Sequence, residues 1–254
     1  MRREPSTSHM RQSAHEPPFA REAGGPGVRL PDPYGPELGE LRARDLSEED
    51  QASVNKTGTT TVGLTTAEGV VLATDMRASL GGRFISNKDV QKVEQVHPTA
   101  ALTMAGSVGG AQSFIRSLRA EVNLFETRRG KDLSIGALST LAGNFLRGGP
   151  FFLVSPILGG VDDEGHHVFS LDPAGGVMSD DYTATGSGMQ MAYGVLEQDY
   201  DPDLSNADAS TVAARAVKSA VERDTASGDG VFLATVTDAG VDIKGHKDFD
   251  DVLG

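Results

Sequence analysis

From Thr59 onward the apolar positions alternate between two periods. Thr59 to Thr66 is rich in Thr and Val and predicts a strand; Ala67-Glu68-Gly69 is a turn, and Val70 to Asp75 a second strand. Residues 78–89 read as a loop, and Val93 to Val96 with Ala100 to Met104 as a hairpin around His97-Pro98. The period then lengthens. Val108, Ala111, Ile115, Leu118, Val122 and Phe125 recur in steps of three and four, one stripe of a long helix. Arg128, Arg129 and Gly130 suit its C-terminal end. Leu138, Leu141 and Phe145 mark a second helix, closed by Gly148-Gly149-Pro150.

The short period then returns. Phe151 to Val161 is almost continuously apolar, as in a strand buried on both faces. His167 to Leu171 and Gly176 to Ser179 form a hairpin about Asp172-Pro173-Ala174-Gly175. Met189, Ala192, Tyr193, Leu196 and Tyr200 make a third helical stripe. Ala213, Ala216, Val217, Ala220 and Val221 make a fourth, with Asp208 or Ser210 as its expected cap. Val231 to Thr237 and Val241 to Lys244 close the chain over Asp238-Ala239-Gly240. Segregated runs of strands and helix pairs argue an α+β fold. Two antiparallel sheets face to face, with a helix pair outside each, would bury every stripe: a four-layer αββα sandwich in one domain, 59–254.

Residues 1–58 lack this patterning. They carry seven of the twelve prolines, and Val, Ile, Leu, Phe and Met supply only nine positions. Such a segment buries too little apolar area to offset its ordering entropy. It reads as a removable leader, tail or linker, disordered to about residue 40, with a short helical turn near Leu46 to Gln51.

Composition narrows the class. The chain has 254 residues, no Cys, and a net charge of −13. Disulfides, thiolate nucleophiles and Cys-based zinc sites are excluded together, and a reducing cytoplasm is expected. The acidic balance argues against nucleic acid or an anionic membrane as partner. No stretch is long and apolar enough for a transmembrane helix. In 59–254 Asp outnumbers Glu by 19 to 7 and only 6 residues are Lys. An Asp-rich, Lys-poor surface tolerates high salt through screening, so a salt-rich cytoplasm is one reading and an ordinary acidic protein the other.

The common catalytic and nucleotide motifs HExxH, GxxxxGK[ST], GxSxG and GxGxxG are absent. The histidines show no metal-ligand spacing, and His166-His167 reads as solvated surface. No metal or cofactor is expected. Ala105-Gly106-Ser107-Val108-Gly109-Gly110 is either a tight strand-to-helix turn or a set of backbone N–H groups presented to an anion. At Lys56-Thr57-Gly58-Thr59-Thr60-Thr61-Val62-Gly63 the low-complexity segment ends and the Thr-rich strand begins. Composition alone reads this junction as a strand start after a linker glycine.

Several separated motifs change that reading. They include Gly58-Thr59-Thr60-Thr61-Val62-Gly63, Thr74-Asp75-Met76-Arg77, Lys92-Val93, Met104-Ala105-Gly106, Gly159-Gly160-Val161-Asp162, Thr185-Gly186-Ser187-Gly188 and Arg223-Asp224-Thr225-Ala226-Ser227-Gly228. With these in order, nearly all of 59–254 resembles a 20S proteasome β-subunit of the archaeal kind. One loop near Gly81-Gly82 is a residue longer than in some relatives. The resemblance implies an N-terminal threonine nucleophile hydrolase, cut between Gly58 and Thr59, that degrades unfolded polypeptides in the cytoplasm.

A threonine hydroxyl needs an adjacent base, and the α-amino group freed on Thr59 has an unperturbed pKa of about 7.7–8, close to working pH. By the same resemblance Lys92 is the active-site lysine, Asp75 its carboxylate and Gly106 the oxyanion donor, while Asp224, Ser187 and Ser227 support the Thr59 terminus. Ala78, Ser79, Val90, Met104 and Val108 match the pocket for the residue before the scissile bond. These residues are apolar or small, which implies an apolar or aromatic, chymotrypsin-like preference, although the direction of Glu94 is open. The implied partners are α-subunits and further β-subunits in stacked rings of seven, and a regulatory ATPase. Competing readings are a bacterial two-component threonine protease subunit, a non-catalytic structural ring subunit of the same fold, and an unrelated binding domain with a disordered tail.

Overall fold

The computed structural model describes residues 58–148 and 153–254. Strands β1 (Thr60–Thr65), β2 (Val70–Asp75), β10 (Tyr182–Gly186), β11 (Val231–Thr237) and β12 (Gly240–His246) form one antiparallel sheet in the order β10-β1-β2-β11-β12. Strands β5 (Val93–His97), β6 (Ala100–Thr103), β7 (Ile157–Asp162), β8 (Gly165–Leu171) and β9 (Val177–Asp180) form a second, in chain order. Four helices cover them: α1 (Val108–Arg129), α2 (Ile135–Gly148), α3 (Met189–Asp199) and α4 (Asn206–Val221).

Three apolar clusters define four layers. Phe114, Leu118, Leu138 and Leu146 of α1 and α2 pack on Leu102, Leu158 and Leu171 of the second sheet. Ala192, Leu196, Ala213 and Val217 of α3 and α4 pack on Val62, Leu64, Val71 and Ala73 of the first. Between the sheets lie Val70, Leu72, Ile157, Val168 and Val236. The alternation of Val70 and Leu72 with Val71 and Ala73 therefore buries both faces of β2. The sheets approach closely at glycines: a Cβ on Gly63 would stand 2.7 Å from Ile157 Cγ2, and one on Gly159 2.7 Å from Val70 Cγ1. The αββα sandwich expected from the sequence is the observed fold.

Several local expectations need correction. Residues 78–89 are not a plain loop but contain a hairpin, β3 (Ala78–Leu80) and β4 (Phe84–Asn87). Its Leu80 and Phe84 are exposed, so no buried face writes a period into the sequence. β10 was not foreseen, and neither was the terminal turn α5 (Asp250–Leu253). The strand expected from Phe151 begins at Ile157, because Ser155-Pro156 interrupts the ladder; residues 149–152 lie outside those described. The cap of α4 is Ser205, whose Oγ accepts from Asp208 N, so Asp208 is its partner and Ser210 is already inside the helix. His166 and His167 are half-buried and partnered, by Thr66 O at 2.8 Å and Asp162 Oδ1 at 2.9 Å, instead of solvated. The turn expected near Leu46 to Gln51 lies outside the described residues.

Asp162 also starts α2. Its Oδ2 accepts from Ile135 N at 2.7 Å, and its Oδ1 from Glu164 N and His167 Nε2, both at 2.9 Å. Partial burial alone would raise its pKa, but these bonds outweigh burial and hold it below 3.8. A depressed folded pKa gives stability that is present above the unfolded value and lost as pH falls through the folded one. Asp162→Ala should cost about 1 kcal/mol at neutral pH. Urea unfolding at pH 7 and at pH 3 should show that cost shrinking in acid.

Candidate active site

β1, an interior strand of the first sheet, begins directly after Thr59. Thr59, Asp75 and Lys92 come from β1's start, the end of β2 and the approach to β5, and all three are buried. Lys92 Nζ donates to Thr59 Oγ1 at 3.2 Å and to Asp75 Oδ1 at 2.8 Å. Asp75 Oδ1 also accepts from Thr60 N at 3.0 Å, and its Oδ2 accepts from Arg77 N at 3.0 Å and Gly228 N at 2.9 Å. Burial pushes the Asp75 carboxyl up, opposed by Lys92 and the backbone donors. Burial pushes the Lys92 ammonium down, opposed by Asp75. With four N–H donors on its two oxygens the carboxylate is well satisfied, and the direction that stands is a Lys92 that gives up its proton below its ordinary 10.5.

Thr59 Oγ1 donates to the Gly58 carbonyl oxygen at 2.6 Å, so hydroxyl and preceding peptide share one tight turn. Thr59 N donates to Ser187 Oγ at 3.2 Å. Ser187 and Ser227 donate to Asp224 Oδ2 at 2.5 and 2.7 Å, and Ser227 Oγ also meets Thr60 Oγ1 at 2.8 Å. Asp224, Ser187 and Ser227 thus form one network under Thr59 and Thr60.

Gly106 carries a φ of +117°, open to glycine. It forms a bridge with Val154, and the bonds on either side run Ser107 N to Leu153 O and Ser155 N to Ala105 O. Since the neighbours' groups face 153–155, the N–H of Gly106 points away from that segment. Ala78, Ser79, Met104 and Val108 line the same cleft with Gly106 and Thr59. Val90 does not: its N–H is bound to Met76 O, and it stands outside that lining. Glu94 turns away to pair with Arg119 at 2.9 Å.

Sequence reasoning gave no role to Arg77 or Ala226, although both lie in quoted motifs. Arg77 Nε pairs with Asp229 at 2.8 Å and its Nη1 donates to Thr225 O at 2.9 Å, which ties the 224–230 loop to β2. Ala226 packs against Gly58, where a Cβ would fall 1.6 Å from Ala226 Cβ. Among the described residues no group of three or more His, Asp or Glu side chains could hold a metal ion, and no helix is long and apolar enough to cross a membrane.

A two-sheet sandwich flanked by helix pairs, with a buried Thr–Lys–Asp cluster at the head of a central strand, has the architecture of the N-terminal nucleophile hydrolases. A family model described as "Proteasome subunit" matches residues 55–236. The chain is 73% identical over 221 residues to a "Proteasome subunit beta" of Natronomonas pharaonis, covering 87% of this chain and 92% of that one. It is 71% identical to the namesake of Natrialba magadii and 66% identical to that of Halobacterium salinarum, each over 88% of this chain and 92% of theirs. The chain belongs to the proteasome subunit family, as an archaeal-type β-subunit.

Proposed function

We propose that this subunit is a threonine endopeptidase, activated by cleavage of its own chain between Gly58 and Thr59. The observation that carries the reading is a buried Lys92 ammonium 3.2 Å from Thr59 Oγ1 and 2.8 Å from Asp75. A cation there favours the alkoxide-like hydroxyl. In self-cleavage, Thr59 Oγ bonds to the Gly58 carbonyl carbon as its proton departs. The C–N bond breaks, the nitrogen takes up a proton, and water hydrolyses the resulting ester. Residues 1–58 leave, and 59–254 is the working domain.

The freed amine then accepts the hydroxyl proton, directly or through a water, as Oγ attacks a substrate carbonyl. Gly106 N–H holds the oxyanion, the amine returns the proton to the leaving nitrogen, and water releases the acyl group. Asp75 holds Lys92; Asp224, Ser187 and Ser227 hold the terminus. The subunit works in cytoplasmic rings of seven between α-subunit rings, fed unfolded polypeptide by an ATPase.

Intact mass of the assembled particle tests this. The subunit should begin at Thr59 and gain one adduct from a peptide epoxyketone, whereas Thr59→Ala should retain residues 1–58 and gain none. A Thr59→Ala subunit that loses its leader in the purified particle excludes intramolecular cleavage. A natural subunit that keeps its leader and stays unlabelled is a structural ring member.

The cleft lined by Ala78, Met104 and Val108 suits an apolar or aromatic side chain before the scissile bond. Among peptide amides ending in Leu, Tyr, Arg and Glu, the Leu and Tyr peptides should turn over fastest. Fastest turnover of the Arg peptide would sink this preference.

A further inference from the structure

Gly106 is braced by a segment, residues 153–155, that contains none of the residues assigned to the site. Leu153, Val154 and Ser155 bridge it, and a Cβ on Gly106 would strike Leu153 O at 1.9 Å, so the two backbones are in direct contact. This segment is tied in turn to the nucleophile's own strand. Thr185 Oγ1 donates to Ser155 O at 2.9 Å. Thr185 Oγ1 also lies 2.6 Å from Thr61 Oγ1, its cross-strand partner in the β1–β10 register. A carbonyl can only accept, so the single Thr185 proton goes to Ser155 and Thr61 donates to Thr185. Thr61 is fully buried and two residues from Thr59. An unbroken path therefore runs from Thr61 through Thr185 and Ser155 to Gly106, across from the first sheet to the segment that enters the second.

We propose that Thr61 and Thr185 are positioning residues that hold the Gly106 N–H in register with Thr59 Oγ, so that nucleophile and oxyanion donor cannot drift apart. The inference rests on the reading of Gly106 as oxyanion donor and Thr59 as nucleophile. An oxyanion contact forms only as the carbonyl becomes tetrahedral, so its loss lowers kcat and leaves KM nearly unchanged. Displacing a reacting group by about 1 Å costs on the order of 100-fold.

The test uses assembled particles bearing Thr185→Val, Thr61→Val or Thr185→Ser. Thr185→Val keeps the shape, removes the donor to Ser155, and should lower kcat about tenfold or more at constant KM. Thr61→Val leaves the Thr185 donor in place and should lose only a few-fold. Thr185→Ser keeps the hydroxyl and should restore most of the rate. A peptide aldehyde adds Thr59 Oγ to its carbonyl carbon and leaves the former carbonyl oxygen where the oxyanion would sit. Its inhibition constant should weaken in parallel with kcat.

Unchanged kcat and unchanged aldehyde affinity in Thr185→Val would overturn the proposal while the parent enzyme stays active. An equal loss in Thr185→Ser, or a loss confined to KM, would overturn it too. Should Thr185→Val yield no particle, Thr61→Val decides: full rate and full aldehyde affinity there reject the path. An unlabelled, inactive parent would instead reject the catalytic reading on which the path rests.

Discussion

Particles built with Lys92→Met should assemble, keep residues 1–58 attached, and hydrolyse peptides about 10²- to 10⁴-fold more slowly once a Thr59 terminus is supplied by an artificial leader. The substitution leaves the buried Asp75 without its cation, a cost eased because burial already favours the protonated carboxyl and its backbone donors remain. Asp75 keeps the N–H groups of Thr60, Arg77 and Gly228. Catalysis fails because Thr59 Oγ1 loses the buried cation that favours its deprotonated form. Asp75→Ala is the informative contrast: it strands a buried ammonium and should destabilise the fold by about 3–5 kcal/mol.

On the proposed mechanism, the pH profile follows from the same pair. The terminal amine must be neutral, so the rate rises with pH on the acid limb. Lys92 must be protonated, so the rate falls as pH passes its folded pKa, which burial places below 10.5. A rate that stays flat through pH 10.5 in intact particles would show that this ammonium is not required.

The second large effect is expected at Gly58. In Gly58→Ala the new methyl group would overlap Ala226 Cβ, 1.6 Å away, and would also crowd Ala226 Cα at 2.8 Å. Both chains must move, and the peptide to be cut moves with them. Leader removal should slow about 100-fold, the cost of roughly 1 Å of misplacement. Cleavage as proposed would remove residue 58, so peptide hydrolysis by any processed fraction should be unaffected. Adding Ala226→Gly removes the overlapping methyl group and should recover part of the processing rate. Gel mobility against time after assembly reports both variants. Failure of Ala226→Gly to help would move the cause from packing to backbone conformation.

The sandwich was legible because its strands and helices each bury a face, and burial writes a period of two or of three to four into the residues. The β3–β4 hairpin escaped because its Leu80 and Phe84 face outward. β10 escaped because Tyr182 to Gly186 is short and its pairing with β1 is specified from across the chain. In the site, Thr59, Asp75, Lys92 and Gly106 could be named only through the family resemblance; no local pattern marks a lysine that will be buried. Val90, placed at the pocket by the family resemblance, is not among the residues lining the cleft, and its N–H is held by Met76 O. Arg77, Ala226 and the hydroxyls of Thr61 and Thr185 act through partners on the order of a hundred residues away, which a linear reading cannot pair. The Asp-rich, Lys-poor surface was legible as composition alone, and the named relatives come from haloarchaea.

β1 is paired with β10 from its first residue and with β2 from Thr61, while Thr60 N is bound to Asp75 Oδ1. Polypeptide ends ordinarily fray, because their last residues have neighbours on one side only. A terminus made at Thr59 would be born already woven into the middle of a sheet. Proteolysis there would loosen nothing, and the amide protons of Thr60 and Thr61 should exchange as slowly as those of the core. The subunit would thus carry one of the most rigid of chain ends, and it would spend none of its binding energy on stilling its nucleophile before each attack.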